Sequence, residues 1–258
     1  MGNNFNVETV ICVFLSLTLG SFLNVCIYRI PRGESIVFPP SHCPKCKKRI
    51  KWYDLMPVIS YIILRGRCRF CKEKISIRYP IVELLTAAGG LLCYHKYGFT
   101  TEMFVAFFIY CILLYISAVD IDTMEISTKS VLLLFAARCL QIFFERGVSI
   151  KTALSIFSGM IFSMLLILII YILSKGRAMG FGDVLLIAAG GAGFTAGEAI
   201  LANFLAFVLG AVFAAFVLVK KNKSLKSEVP FGPFISAALI VTILYGDTIL
   251  KMYLEYIK

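Results

Sequence analysis

Roughly eight stretches of this sequence are long and apolar enough to be read as helices embedded in a bilayer. They are Val10–Tyr28, Pro80–Tyr97, Phe104–Val119, Val131–Phe144, Ala153–Leu173, Val184–Thr195, Ala199–Val219 and Phe231–Leu250. A hydrocarbon core about 30 Å thick is crossed by about 20 helical residues, and inside it each backbone N–H and C=O must be satisfied by the segment itself. That constraint leaves an all-α integral membrane protein with about eight transmembrane helices. Composition agrees, because 59% of the 258 residues are hydrophobic and only 16% are charged, outside the usual make-up of a soluble domain. The sixth stretch is short and rich in glycine, so its ends are the least defined. No Lys or Arg precedes Arg29. The first stretch therefore lacks the basic start of a cleavable signal peptide and is expected to stay as a helix.

The net charge of +11 invites a nucleic-acid reading, but its distribution argues against one. Residues 29–79 hold 13 Lys or Arg against the acids Glu34, Asp54 and Glu73, so this one loop carries +10 of the total. If the loop is cytoplasmic, alternation through eight helices puts Lys129, Lys175, Arg177, Lys220, Lys221, Lys223 and Lys226 on the same side. The opposite side receives Lys96, Arg146, Lys151, Lys251 and Lys258, and Arg138 falls within a helix. That asymmetry is the positive-inside pattern, and it orients the N-terminus outward. The chain then divides into a first helix (1–28), a cytoplasmic domain (29–79) and a membrane domain of seven helices (80–258). The basic loop also suits contact with the anionic headgroups of membrane lipids. No tandem repeat or low-complexity tract stands out.

Five of the nine cysteines, Cys12, Cys26, Cys93, Cys111 and Cys139, lie in apolar helices, where a free thiol packs as a small hydrophobe. The other four form two C-x2-C pairs, Cys43/Cys46 and Cys68/Cys71, separated by 21 residues. Two such knuckles can close a tetrahedral sulfur site around a structural Zn2+. A reducing cytoplasm disfavours two disulfides, and a loop of this size has too little core to hold itself without a staple. Four reduced thiols in a mobile loop is the bland alternative. His42 adjoins Cys43 as a competing ligand, although four thiolates already complete the site.

Acids at the ends of apolar helices are costly and carry a functional hypothesis. Asp120 and Asp122 end the third stretch in "SAVDIDTMEIS", and Asp183 opens the sixth in "GFGDVLL". The topology built from basic residues alone puts both on one face of the membrane. Two carboxylates sharing a site do not both ionise easily, so one keeps a proton and polarises a carbonyl while the other acts as base on a water. Gly180 and Gly182 suit close approach of a substrate strand or a partner helix to Asp183. The plainer reading is that these acids cap helices or meet solvent, with Asp183 at an N-cap position. Asp122, Glu125 and Asp247 read as solvated or interfacial.

In order along the chain stand "GSFLNVCIYRIPRGES", "CPKCKKRIKWYDLMPVISYIILRGRCRFCKEKISIRYPIVE", "DIDTMEI", "GFGDVLL" and "PFGPF". This series resembles the type IV prepilin peptidases over nearly the whole chain. The resemblance implies a GxGD-type aspartic endopeptidase of the cell inner membrane that removes the leader of prepilin or pseudopilin substrates on the cytoplasmic side. It places the catalytic pair on Asp120 and Asp183 and the metal-binding thiols on Cys43, Cys46, Cys68 and Cys71. It further implies methyl transfer from S-adenosylmethionine to the new N-terminus, although no glycine-rich methyltransferase fingerprint is visible. The chain departs from the family at Ser127 and Thr128, where Pro followed by Asp or Asn is common, and at Leu185, where Lys is usual. The rival from another class is a transporter or channel using the same acids as an ion or proton path. It would place them near the bilayer midplane, whereas both candidates lie at a helix end. An inactive scaffold also stays open at this stage, and nothing in the sequence fixes an oligomeric state.

Overall fold

A computed structural model describes residues 7–221 and 229–257. Lys223, Lys226 and Lys258 of the charge pattern lie outside the described residues. Among the described residues the regular elements are helices, with two bridge-closed hairpins at the cysteine pairs, and the chain forms two compact units, one up to Met103 and one from Phe104 onward.

The first unit is built on α1 (Val7–Arg29) and α3 (Arg78–Tyr97), which pack together. Residues Cys12, Ser16, Gly20, Asn24 and Ile27 recur every three or four positions and form the buried stripe of α1. Small residues at that spacing let two apolar helices approach closely, the usual solution where lipid competes with side chains for contact. Asn24 fixes the pair by donating from Nδ2 to the Tyr79 carbonyl at 3.0 Å. Between the helices lie a 3-10 turn over Trp52–Leu55, the five-residue α2 (Ile59–Ile63) and the two cysteine knuckles. Buried Glu83 of α3 accepts the Val58 N–H at 2.8 Å. It thereby holds Val58 at φ +59°, a backbone conformation that β-branched residues seldom adopt.

The second unit contains α4 (Thr101–Thr123, which begins at the unit boundary), α5 (Thr128–Arg146), α6 (Ile150–Ser174), α7 (Phe181–Gly190), α8 (Ala196–Lys221) and α9 (Gly232–Ile257). Its most enclosed element is α7, in which Leu186 and Ile187 are fully buried, and which packs on α5, α6 and α9. A capping box opens α8, where Thr195 donates N–H and hydroxyl to Glu198 at 2.8 and 2.9 Å.

Each of the eight apolar stretches read from sequence coincides with one of these long helices or with α7. Five of them, α1, α4, α6, α8 and α9, are long and apolar enough to cross a membrane. The remaining three qualify less simply. Glu83 interrupts α3, Arg138 and Gln141 interrupt α5, and α7 with its 10 residues rises about 15 Å, half a hydrocarbon core.

Candidate active site

The four loop thiols come together. Sγ atoms of Cys43, Cys46, Cys68 and Cys71 all lie within 4.8 Å of one another, with Cys43 and Cys71 3.8 Å apart. A tetrahedral metal with bonds of about 2.3 Å to sulfur needs sulfurs about 3.8 Å apart, so the donor set fits a structural zinc. The backbone N–H of Cys71, foremost, holds the Cys68 thiol down to about 7, whereas, despite the Glu73 N–H, burial and the thiols of Cys68, Cys46 and Cys43 push Cys71 up to about 11.

Each knuckle is the same ten-residue hairpin. In the first, Cys43 N–H bonds to Lys48 O, Lys47 N–H to Cys43 O and Ile50 N–H to Ser41 O; in the second, Cys68 bonds to Glu73, Lys72 to Cys68 and Ile75 to Gly66. Residues 41–50 and 66–75 thus form an internal repeat that the sequence reading missed, because only the cysteines, one lysine and the closing isoleucine coincide. Lys47 and Lys72 both carry φ +59° at the turn. Lys45 and Glu73 form an ion pair that crosses from one hairpin to the other. Arg69 grips Asp54 with two bonds of 2.8 and 2.6 Å and keeps that carboxyl below its ordinary range. His42 stands outside the sulfur cluster, its Nδ1 3.0 Å from the Pro40 carbonyl oxygen.

Four acids are buried among the described residues: Glu83, Asp120, Asp183 and Glu198. Glu83 and Glu198 are accounted for by the N–H groups they accept. Asp120 lies near the end of α4, and its Oδ2 accepts the N–H of Gly232, the first residue of α9, at 2.9 Å. Asp183 is the third residue of α7, and its Oδ2 reaches back to the N–H of Gly180 at 3.1 Å. The N-cap is therefore Gly180, with Asp183 three residues further in. Each carboxylate commits one oxygen to the N-terminus of a helix, where orphan N–H groups and the helix dipole favour negative charge. Its second oxygen has no hydrogen bond among the described residues. Asp120 is near enough for its charge to act on Asp183.

What joins the two is Ile126, in the turn after α4. A methyl group built on Gly182 would stand 2.9 Å from Ile126 Cβ; one on Gly232 would stand 3.3 Å from Ile126 Cδ1 and 2.6 Å from Asp120 Oδ2. Both glycines are places where a side chain would push the site apart. Gly180 is less constrained, since its methyl would meet Asp183 Oδ2 at an ordinary 3.6 Å. The roles of Gly232 and Ile126 were absent from the sequence reading, which quoted "PFGPF" and "DIDTMEI" only as blocks. Glycine before proline at the start of an apolar helix was the available signal.

The far end of α7 is also pinned. Arg138, buried within α5, donates from Nε to Gly190 O at 3.1 Å and from Nη2 to Ala192 O at 2.9 Å, and Arg146 donates to Gly193 O at 3.2 Å. These cations meet the carbonyl end of α7 and the glycine turn beyond it. Of the family departures, Ser127 is the N-cap of α5 without a side-chain cap bond, and Leu185 is half-buried on α7.

Fold and site together define a polytopic helical membrane protein with a four-cysteine domain between its first two long helices and a buried carboxylate pair at helix N-termini. Residues 14–97 match the bacterial peptidase A24 N-terminal domain, and residues 107–215 match the type IV leader peptidase family. The chain is 30% identical to a prepilin leader peptidase/N-methyltransferase of Legionella pneumophila, across 93% of this chain and 92% of that protein. A protein of the same name from Pseudomonas putida is 31% identical across 91% and 90%, and one from Bacillus subtilis 30% identical across 95% and 97%. No solved structure matches the chain. The chain belongs to the type IV leader peptidase family, and so to the membrane peptidases.

Proposed function

We propose that this protein removes the leader peptide from prepilin-like substrates at the cytoplasmic face of the inner membrane, with Asp120 and Asp183 as the hydrolytic pair. The observation that carries this reading is the disposition of the pair. Two buried carboxylates stand at the starts of α9 and α7, each with one oxygen held by a backbone N–H and the other free. The two share one proton, because burial and mutual repulsion oppose two charges. The ionised member takes a proton from a bound water as its oxygen attacks the scissile carbonyl carbon. The protonated member gives its proton to the carbonyl oxygen, forming a neutral tetrahedral diol. Collapse of that diol breaks the C–N bond. One carboxyl delivers a proton to the leaving amine while the other recovers one from a hydroxyl, restoring the starting state.

The four thiols hold a structural zinc that staples the domain between α1 and α3. The relatives' name adds N-methylation, and we extend it to the amine that cleavage releases on this protein's substrates. S-adenosylmethionine would supply the methyl group. Among the described residues there is no strand-to-helix glycine turn that fits such a donor, so its site is assigned to no residue. An ion path is disfavoured because both acids belong to helix ends.

The test incubates the purified protein in detergent with a peptide spanning a prepilin cleavage site and compares wild type with Asp120→Asn and Asp183→Asn. An amide cannot act as base, so each variant should lose on the order of 10²- to 10⁴-fold in cleavage rate while keeping its fold and metal. Wild-type rates in both would overturn the assignment.

A further inference from the structure

The four-cysteine domain exposes more apolar surface than a small soluble domain keeps in water. Within residues 52–63, Trp52 is 79% exposed, Leu55 42%, Met56 41%, Ile59 51%, Ile62 66% and Ile63 69%. All six lie on the 3-10 turn and α2 or in the short link between them. Lys51 and Arg65 bracket the stretch, in a loop whose net charge is +10. Two of the loop's three acids are already engaged, Asp54 by Arg69 and Glu73 by Lys45. The cations nearest the stretch in sequence, Lys47, Lys48, Arg49, Lys51, Arg65 and Arg67, are exposed. Tryptophan and isoleucine flanked by Lys and Arg is the composition of an element lying in a membrane interface, its apolar part at the acyl boundary and its charges among headgroups.

We propose that residues 52–63 form an in-plane foot that seats the zinc domain on an anionic bilayer surface. Both ends of the domain run directly into α1 and α3, so the foot stays tethered within reach of that surface. Charge selects the occupant, since the local excess of Lys and Arg complements acidic phospholipid headgroups and repels a second copy of the same basic loop. Seating fixes the height and tilt of the domain above the bilayer.

Trp52 is the only tryptophan in the chain, so its fluorescence reports on the foot alone. The full-length protein is reconstituted into phosphatidylcholine vesicles with or without phosphatidylglycerol, each carrying lipids brominated either near the headgroup or near the bilayer centre. With phosphatidylglycerol and shallow bromines, Trp52 emission should shift to the blue and fall by about half, as expected for an interfacial ring. Deep bromines should quench less, and omitting phosphatidylglycerol should weaken the effect. Ile62→Glu with Ile63→Glu should return the emission towards that of water-exposed tryptophan while the zinc content stays at the wild-type level. Emission that is blue-shifted but unquenched at either depth would mean that protein covers Trp52, and would overturn the proposal. Unshifted emission, or quenching indifferent to phosphatidylglycerol, would overturn it as well.

Discussion

Asp120 and Asp122 stand two residues apart on α4, yet Asp120 is 4% exposed and Asp122 faces outward. At 100° per residue the two side chains point about 160° apart, so one turn of helix delivers only one of them to the site. Asp122→Asn should therefore leave cleavage within a few-fold of wild type, and a severe loss there would shift the pair two residues along. The partner group is Gly232, whose N–H holds Asp120 across 112 positions of sequence. Gly232→Ala should slow cleavage on the order of tenfold to a hundredfold, because its methyl would displace the carboxylate it now bonds. Peptide affinity should change much less, and an equal loss in KM and kcat would count against a positioning effect. The aspartates were legible because acids at the ends of apolar helices are conspicuous. Gly232 and Ile126 were not, since nothing local announces a contact between a turn and a helix start so far away.

At the scale of elements, α7 is a short rod fixed at both ends, by Gly182 and Ile126 beside Asp183 and by Arg138 and Arg146 at its carbonyl end. Arg138→Met would leave two buried carbonyls without their donor, costing about 1–3 kcal/mol of stability. Cleavage should fall about tenfold as α7 loses its register, and thermal unfolding with a peptide assay separates the two effects. The knuckles make the contrasting case. Their spacing alone announced the metal site, because two C-x2-C pairs are enough to satisfy a tetrahedral ion. Their shared hairpin was hidden, since it is written in backbone hydrogen bonds that several side chains allow. Cys43→Ser should lower bound zinc from about one per chain and loosen residues 41–75, measured by elemental analysis and proteolysis. Unchanged zinc would reject the site. Helix positions were read well because lipid imposes long apolar runs. The crossing of α3, α5 and α7 is less plainly written, because α3 and α5 carry polar interruptions and α7 is short.

For the whole molecule, the division into two compact units separates the cysteine knuckles from the buried carboxylates. The zinc knuckles belong to the unit ending at Met103, and the carboxylate pair to the unit beginning at Phe104. If the first unit supports methyl transfer and the second performs hydrolysis, lesions in each should have separable effects, as expected of independent sites. Asp183→Asn, given a peptide that begins at the mature N-terminus, should still add a methyl group, because the base it lost belongs to the other reaction. Cys68→Ser should do the reverse, methylating poorly while retaining measurable cleavage. Mass spectrometry of the peptide N-terminus after incubation with S-adenosylmethionine reads both, cleavage as loss of the leader and methylation as a gain of one methyl. Equal loss of methylation in both variants would join the two activities in one site. A wild type that cleaves efficiently but never methylates would confine the chain to hydrolysis, leaving the zinc domain to work through membrane seating and stability alone.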